Sequence, residues 1–319
     1  MSNPLLSRLR SLLAIAALAA GALLTADSAL ATTKIGVLLK AKGGFWDPVA
    51  EGCRTAAKRA GVDLVLMQPD YEADVAMQLR MLDDMMHQGV QGLIIAPCST
   101  AALSGPVAEV LAKGTKVVVL DSPLDVDMPA YIATNHTDAG TAAGALLASV
   151  LKPGDEVTFL RHTKTSGATL LRDSSAYSAI CAVYPHLLIH RDIFTGSTGE
   201  ELARARLVFD LYPHTNAVLA TGTPGSMAML QVLKDTGRAG KVAFVGFGFD
   251  LNRKVAKALA DGTMTGWIAQ LPHEIGSRGI DAMLALLNHQ TVPEVTYCNF
   301  LVITKQNLND PSVQALMPR

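Results

Sequence analysis

Residues 242–272, VAFVGFGFDLNRKVAKALADGTMTGWIAQLP, carry two hydrogen-bonding side chains that read as neighbours at strand ends. Val242 to Phe247 is apolar and β-rich, as in a strand buried on both faces of a parallel sheet. Gly246 and Gly248 loosen the backbone, and Asp250 arrives where that strand should end. Arg253 to Ala260 reads as a helix closed by Asp261-Gly262. Thr265 to Ala269 reads as the next strand; it delivers Gln270, and Pro272 stops it. A carboxylate accepts hydrogen bonds, and an amide gives and accepts them. In open α/β sheets ligands sit beyond the carboxyl ends of the strands, where both residues fall.

Signatures of catalysis are missing. Gly222-Thr223-Pro224-Gly225-Ser226 lacks the Gly-x-Ser-x-Gly of a nucleophile elbow. It also lacks the Lys-Ser/Thr that completes a phosphate loop. Cys53, Cys98, Cys181 and Cys298 match no metal spacing, and no Cys-x-x-Cys occurs. No cofactor and no metal are expected, and no carboxylate pair is marked for acid–base work. The sequence therefore points away from an enzyme. It leaves cysteine pairing open, because a core of this size does not need disulfides.

The elements that position these residues alternate from Lys34 onward. Strands are expected at Ile35–Leu39, Asp63–Met67, Gly92–Ala96 and Lys116–Leu120. Helices are expected at Pro48–Ala60, Ala73–Gln88 and Ser104–Lys113. In the second of these, Met77, Met81 and Met85 repeat at helical spacing and read as core. A short strand, Tyr131–Thr134, leads to Asn135-His136 and a Gly/Ala-rich helix, Gly140–Val150. The alternation then restarts, with strands beginning near Glu156, Leu187, Ala217 and Val242. This is an α/β chain with parallel strands joined by helical crossovers. Two such sheets fit 319 residues that are 50% hydrophobic.

A formal net charge of -1 argues against a nucleic-acid partner, which needs a basic face. Arg8 and Arg10, the apolar run Leu12–Leu24, and Ala29-Leu30-Ala31 read as a signal peptide over residues 1–31. The run is short of a membrane span of ~20 residues. The mature chain is expected to start near Thr32, in the periplasm.

Ile268, Ala269, Gln270 and Pro272, preceded by Asp261-Gly262 and Val245-Gly246-Phe247, carry a resemblance. The chain resembles the type I periplasmic binding proteins of the ribose-binding type, over nearly all of residues 34–304. The family's aspartate follows Val-Gly-Phe directly, whereas Gly248-Phe249 intervenes before Asp250 here. The resemblance implies two Rossmann-like lobes, each a parallel sheet flanked by helices, joined by a three-segment hinge. It places the crossings near Thr134, Gln270 and Asn299. The N-terminal lobe is then 32–134 plus 271–298, and the C-terminal lobe 135–270 plus 299–319.

The resemblance also implies a ligand site. Phe45-Trp46 match the paired aromatics set against a sugar ring, and an aromatic face suits sugar C–H bonds. Asp121 matches the aspartate after strand four, where one carboxylate accepts two hydroxyls. Asp250 and Gln270 hold ligand hydroxyls, and Gln270 lies at the hinge. Arg172, in Ser166-Gly167-Ala168-Thr169-Leu170-Leu171-Arg172-Asp173, stands near the second-lobe arginine, displaced by one. Other positions depart from the family. Ser122 replaces an arginine, Gly196 falls near a missing aromatic, and Gly222 replaces an asparagine. The two glycines imply room for a larger ligand, with Arg161, His162 and Lys164 lining the second lobe instead. Cys98 sits at a strand end near the cleft and reads as a structural thiol.

By resemblance the protein is a monomer that captures a sugar or polyol and delivers it to an ABC permease. The alternative is a sensor of the same fold that signals to a sensor kinase or chemoreceptor. A sugar-responsive repressor would need a DNA-binding headpiece where the signal peptide stands.

Overall fold

The structure is a computed structural model that describes residues 33–196 and 199–317. The leader expected over residues 1–31 lies outside them. The first run of elements is β1 (Lys34–Leu38), α1 (Trp46–Ala60), β2 (Asp63–Met67), α2 (Val75–His87), β3 (Gly92–Ile95), α3 (Thr100–Ala112), β4 (Lys116–Leu120) and β5 (Tyr131–Thr134). The second is α4 (His136–Ala148), β6 (Glu156–Arg161), α5 (Gly167–Val183), β7 (Leu188–Phe194), α6 (Glu201–Leu211), β8 (Ala217–Ala220), α7 (Thr223–Asp235), β9 (Ala243–Gly248), α8 (Arg253–Ala260) and β10 (Gly266–Gln270). Then come α9 (Pro272–Leu287), β11 (Val295–Cys298), β12 (Phe300–Ile303) and α10 (Pro311–Gln314).

These strands form two six-stranded sheets, ordered β11-β5-β4-β3-β1-β2 and β12-β10-β9-β8-β6-β7. Pairing is parallel except for the antiparallel β10–β12 pair. We call the part built on each sheet a lobe. After Thr134 the chain leaves the first sheet for the second, and after Gln270 it returns. Asn299 alone separates β11 of the first sheet from β12 of the second.

Apolar strand centres explain the layering. Ile35, Val37, Ile94 and Val118 pack against α1 and α9, while Leu38, Leu93, Val117 and Val119 pack against α2 and α3. The second sheet divides in the same way. Phe159, Leu219 and Phe247 face α4 and α5, and Val218, Phe244 and Trp267 face α7 and α8. This two-sided burial is why these strands read as continuous apolar runs.

Capping side chains move two helix starts upstream of the expected ones. Ser99 accepts from the Ala102 N–H and starts α3 at Thr100, not Ser104. Asn135 accepts from the Asp138 N–H and starts α4 at His136, not Gly140. In α2, Met85 is buried and Met77 and Met81 are half-buried. Beside them Gln78 is fully buried. Its Nε2 donates to Leu39 O (3.1 Å) and Ala96 O (2.8 Å), and its Oε1 accepts from the Cys98 N–H (2.8 Å). One amide thus ties together the ends of β1 and β3. All four cysteines are free, and burial raises the Cys98 thiol to about 11.

Candidate functional site

A cavity of about 290 Å³ lies at the carboxyl ends of both sheets. From the first lobe it is walled by the loop after β1 (Ala41 to Trp46), the loop after β2 (Asp70 to Glu72) and Asp121 after β4. From the second come His162 and Ser166 after β6, the first turns of α5, Glu201, and Gly222 to Pro224 after β8. Gln270 ends β10 beneath it. Strand ends meeting across a crevice are where α/β folds hold ligands.

Phe45, Trp46, Asp121, Arg172 and Gln270 all line this cavity; Asp250 does not. The two residues before Asp250 account for the correction. β9 continues through Gly248, so Phe249 takes the strand-end position and meets the edge of Phe45 at 6.0 Å. Asp250 falls beyond it. Its backbone oxygen accepts from Trp267 Nε1 (3.0 Å), and its carboxylate faces Asn252 Nδ2 (3.4 Å).

Asp121 is the centre of a buried network. Its φ of 62° is left-handed, an uncommon and strained setting for a non-glycine residue. Three bonds hold it there. Its N–H donates to Ile132 O (3.0 Å), and its carbonyl accepts from Tyr131 Oη (2.6 Å) and His136 Nε2 (2.9 Å). Its carboxylate takes Lys40 Nζ at 2.6 Å. Lys40, the residue after Leu39, is fully buried and also donates to Ser122 Oγ (2.6 Å) and Ser166 Oγ (3.0 Å). Burial alone would raise the Asp121 carboxyl, but the Lys40 ammonium and then His136 hold it well below the usual range.

Arg172 extends the network to the hinge. Its Nε donates to His136 Nδ1 (3.2 Å), its Nη1 to Thr221 O (3.1 Å), and its Nη2 to Gln270 Oε1 (2.6 Å). Thr134 Oγ1 gives Gln270 Oε1 a further bond at 3.2 Å. Because Nδ1 of His136 accepts, the ring is neutral with its proton on Nε2, an assignment made from the network. Burial and the Arg172 charge lower its pKa. Gly140 on α4 makes this possible: a Cβ there would overlap the Arg172 backbone, so only glycine lets α5 approach. This is the packing reason for the Gly/Ala-rich α4.

Gln270 therefore contacts the cavity and both sides of the hinge, with Pro272 fixing the chain beyond it. Gln270→Ala is expected to weaken ligand binding and to reduce the compaction seen by small-angle scattering at saturation. Full compaction in a weakly binding variant would make Gln270 a contact only.

The vacancy expected at Gly222 is filled. A Cβ there would lie 3.1 Å from Cγ of His162, so the imidazole occupies that space. His162 Nε2 lies 3.2 Å from Glu72 Oε2 of the opposite lobe, and Trp46 Nε1 donates to the same oxygen at 3.3 Å. Burial would raise the Glu72 carboxyl, but His162 foremost, with Lys40, holds it at about 2. Arg161 and Lys164 do not line the cavity; they lie over Phe194, and Arg161 pairs with Asp173 at 3.0 Å. Gly196 and Cys98 are not part of the wall.

Sequence reasoning missed Lys40, Glu72 and His136. For Lys40 a signal was present, since a lysine directly after an apolar strand stands where ligands bind. His186 and His190 are four residues apart, but His190 lies on a strand and faces Glu156 Oε1 at 3.0 Å. Among the described residues no cluster of three or more metal-binding side chains forms.

A family model described as "Periplasmic binding protein domain" matches residues 35–291. The D-allose-binding periplasmic protein of Escherichia coli is 26% identical over 273 residues, spanning 82% of this chain and 87% of its own. The ribose import binding protein of Salmonella typhimurium is 24% identical over 294 residues, spanning 92% and 97%. A carbohydrate transporter solute-binding protein from Agrobacterium radiobacter, solved with D-arabinose, superposes with TM-score 0.83 at 24% identity, covering 90% of this chain and 99% of its own. An Agrobacterium vitis ABC transporter solute-binding protein bound to α-D-tagatopyranose gives 0.80 at 20% identity, covering 90% and 100%. The chain belongs to the periplasmic binding protein domain family and is a type I, ribose-binding-protein-like member of it.

Proposed function

We propose that this protein captures a small polyhydroxylated ligand, a sugar or polyol, between its two lobes in the periplasm and delivers it to an ABC permease. The observation that carries the reading is the composition of the cavity wall. The aromatic pair Phe45 and Trp46 shares the wall with Asp121, Glu72, His162 and Arg172, polar groups already paired within the protein. Behind the wall the buried Lys40 meets Asp121 and Glu72, and in it Arg172 is spent on His136, Thr221 and Gln270. Such a wall suits a neutral ligand with many hydroxyls better than an ion. Its volume is at the small end for ligand pockets, as a monosaccharide requires. Acids and bases bound to each other suit capture and not turnover. The import and sugar-binding names of the relatives favour a permease over a sensor kinase.

The two lobes are taken as 32–134 plus 271–298, and 135–270 plus 299–319. They move as units about the Thr134, Gln270 and Asn299 crossings. A thermal-shift screen of the mature chain tests the function. Aldopentoses, aldohexoses and alditols form the panel, with amino acids and dicarboxylates as controls. At 100 times its dissociation constant, a true ligand adds about 2.7 kcal/mol of stability. A shift produced only by the charged controls would refute the reading.

A further inference from the structure

We propose that Ser122 sets ligand affinity without touching the ligand, by capping helix α5 of the opposite lobe when the lobes close. The inference rests on the reading above that closure accompanies binding. Ser122 follows β4 in the first lobe, is fully buried, and is not part of the cavity wall. Helix α5 belongs to the second lobe, and its own N-cap residue, Ser166, makes no side-chain capping bond. The Ser166 hydroxyl is instead turned to Lys40 Nζ at 3.0 Å. The orphan donor in the first turn of α5, the Ala168 N–H, is taken by Ser122 Oγ at 3.0 Å.

That hydroxyl is fully used. It accepts from Ala168 N and from Lys40 Nζ (2.6 Å), and it donates to Asp121 Oδ2 (3.3 Å). Its place is therefore fixed by first-lobe residues before α5 arrives. The Asp121 carboxylate behind it offsets the Lys40 ammonium, which would otherwise meet the positive end of α5. The seat is also shaped for the helix. A Cβ on Gly167 would lie 2.8 Å from Thr100 Oγ1 and 3.1 Å from Cδ of Pro123, both first-lobe atoms. Thr100 is held in turn by donating to Pro123 O at 2.8 Å. Glycine at the first position of α5 thus permits the approach, and serine after Asp121 completes it.

Opening the lobes breaks the cap and leaves α5 with an uncapped first turn. The closed state is favoured by that difference, and the apparent affinity of the site follows the population of the closed state. The test is calorimetric titration with aldopentoses and aldohexoses of the wild type, Ser122→Ala, Ser122→Thr and Gly167→Ala, with scattering on the saturated proteins. Loss of a cap of ordinary strength predicts about tenfold weaker binding for Ser122→Ala. Ser122→Thr, which keeps the hydroxyl, is expected to bind more tightly than the alanine variant. Gly167→Ala, which leaves Lys40, Asp121 and Ser122 intact, is expected to weaken binding and enlarge the saturated radius of gyration. It carries the test if Ser122→Ala fails to fold. Unchanged affinity in Ser122→Ala and Gly167→Ala, with a wild type that binds, overturns this inference alone. A wild type that binds none of the sugars overturns the function on which it rests.

Discussion

Lys40→Met is expected to cost about 3–5 kcal/mol of stability and to remove measurable ligand binding. The substitution keeps the volume of the side chain but leaves the Asp121 carboxylate buried without its cation. At 3% exposure Asp121 cannot recover water in exchange. The same change strips donors from Ser122 and Ser166, so the cross-lobe contact fails with it. Urea denaturation measures the cost, and an unchanged slope would show that the unfolded state is not the cause. The double variant Lys40→Met/Asp121→Asn is expected to recover part of the loss, because the charge left unpaired is gone and asparagine tolerates the left-handed backbone. A loss below about 1 kcal/mol in Lys40→Met would show that this pair does not hold the site together.

Acid is expected to destabilise the protein in two stages, because three buried groups bind fewer protons in the folded state. Burial foremost, with the Arg172 charge, depresses the His136 pKa below 6.5. As pH falls through 6.5 the unfolded chain takes up a proton that the folded chain refuses, so stability falls. Protonation would also put a proton on Nδ1, which now accepts from Arg172, and would set two cations together. Asp121 and Arg172 are the charged groups in contact with this ring. The second stage belongs to the carboxylates. Glu72 stands at about 2 against an ordinary 4.5, and Asp121 is lowered as well. Their contribution is complete above about pH 4.5 and is lost as pH falls toward the folded values. For Glu72 this amounts to something on the order of 3 kcal/mol. Melting temperature against pH is the measurement. His136→Gln is expected to flatten the slope that begins near pH 6.5 and to leave the step below 4.5. A slope unchanged by His136→Gln would assign the first stage elsewhere.

Much of the architecture is legible along the chain because the central strands of each sheet are buried on both faces. Asp121 after Val117–Leu120, and Gln270 before Leu271-Pro272, are visible because a polar residue directly after an apolar strand is conspicuous. Asp250 shows the limit of that rule. Strand β9 runs through Gly248, and two residues decide whether a side chain lines the cleft or lies beyond it. Partnerships are harder to see than positions. Lys40 and Asp121 are separated by 81 residues, and Arg172 and Gln270 by 98, so nothing local announces them. His136 was hidden by a helix start, since the reading from Gly140 left it in a loop. Gly222 could be read as empty space only because the imidazole that fills it comes from another loop.

One sugar or polyol is expected between the lobes, bounded by Trp46 on one side and by Arg172 and Gln270 on the other. The direct measurement is a crystal structure of residues 33–319 grown with the ligand that gives the largest thermal shift. Density for a single ring or chain of hydroxylated carbon is expected in the 290 Å³ cavity. It should lie within contact distance of the Phe45–Trp46 pair, with Ser122 still bonded to the Ala168 N–H. Density for the ligand on another face, or a filled cavity with the two lobes apart and Ala168 unpaired, would contradict it.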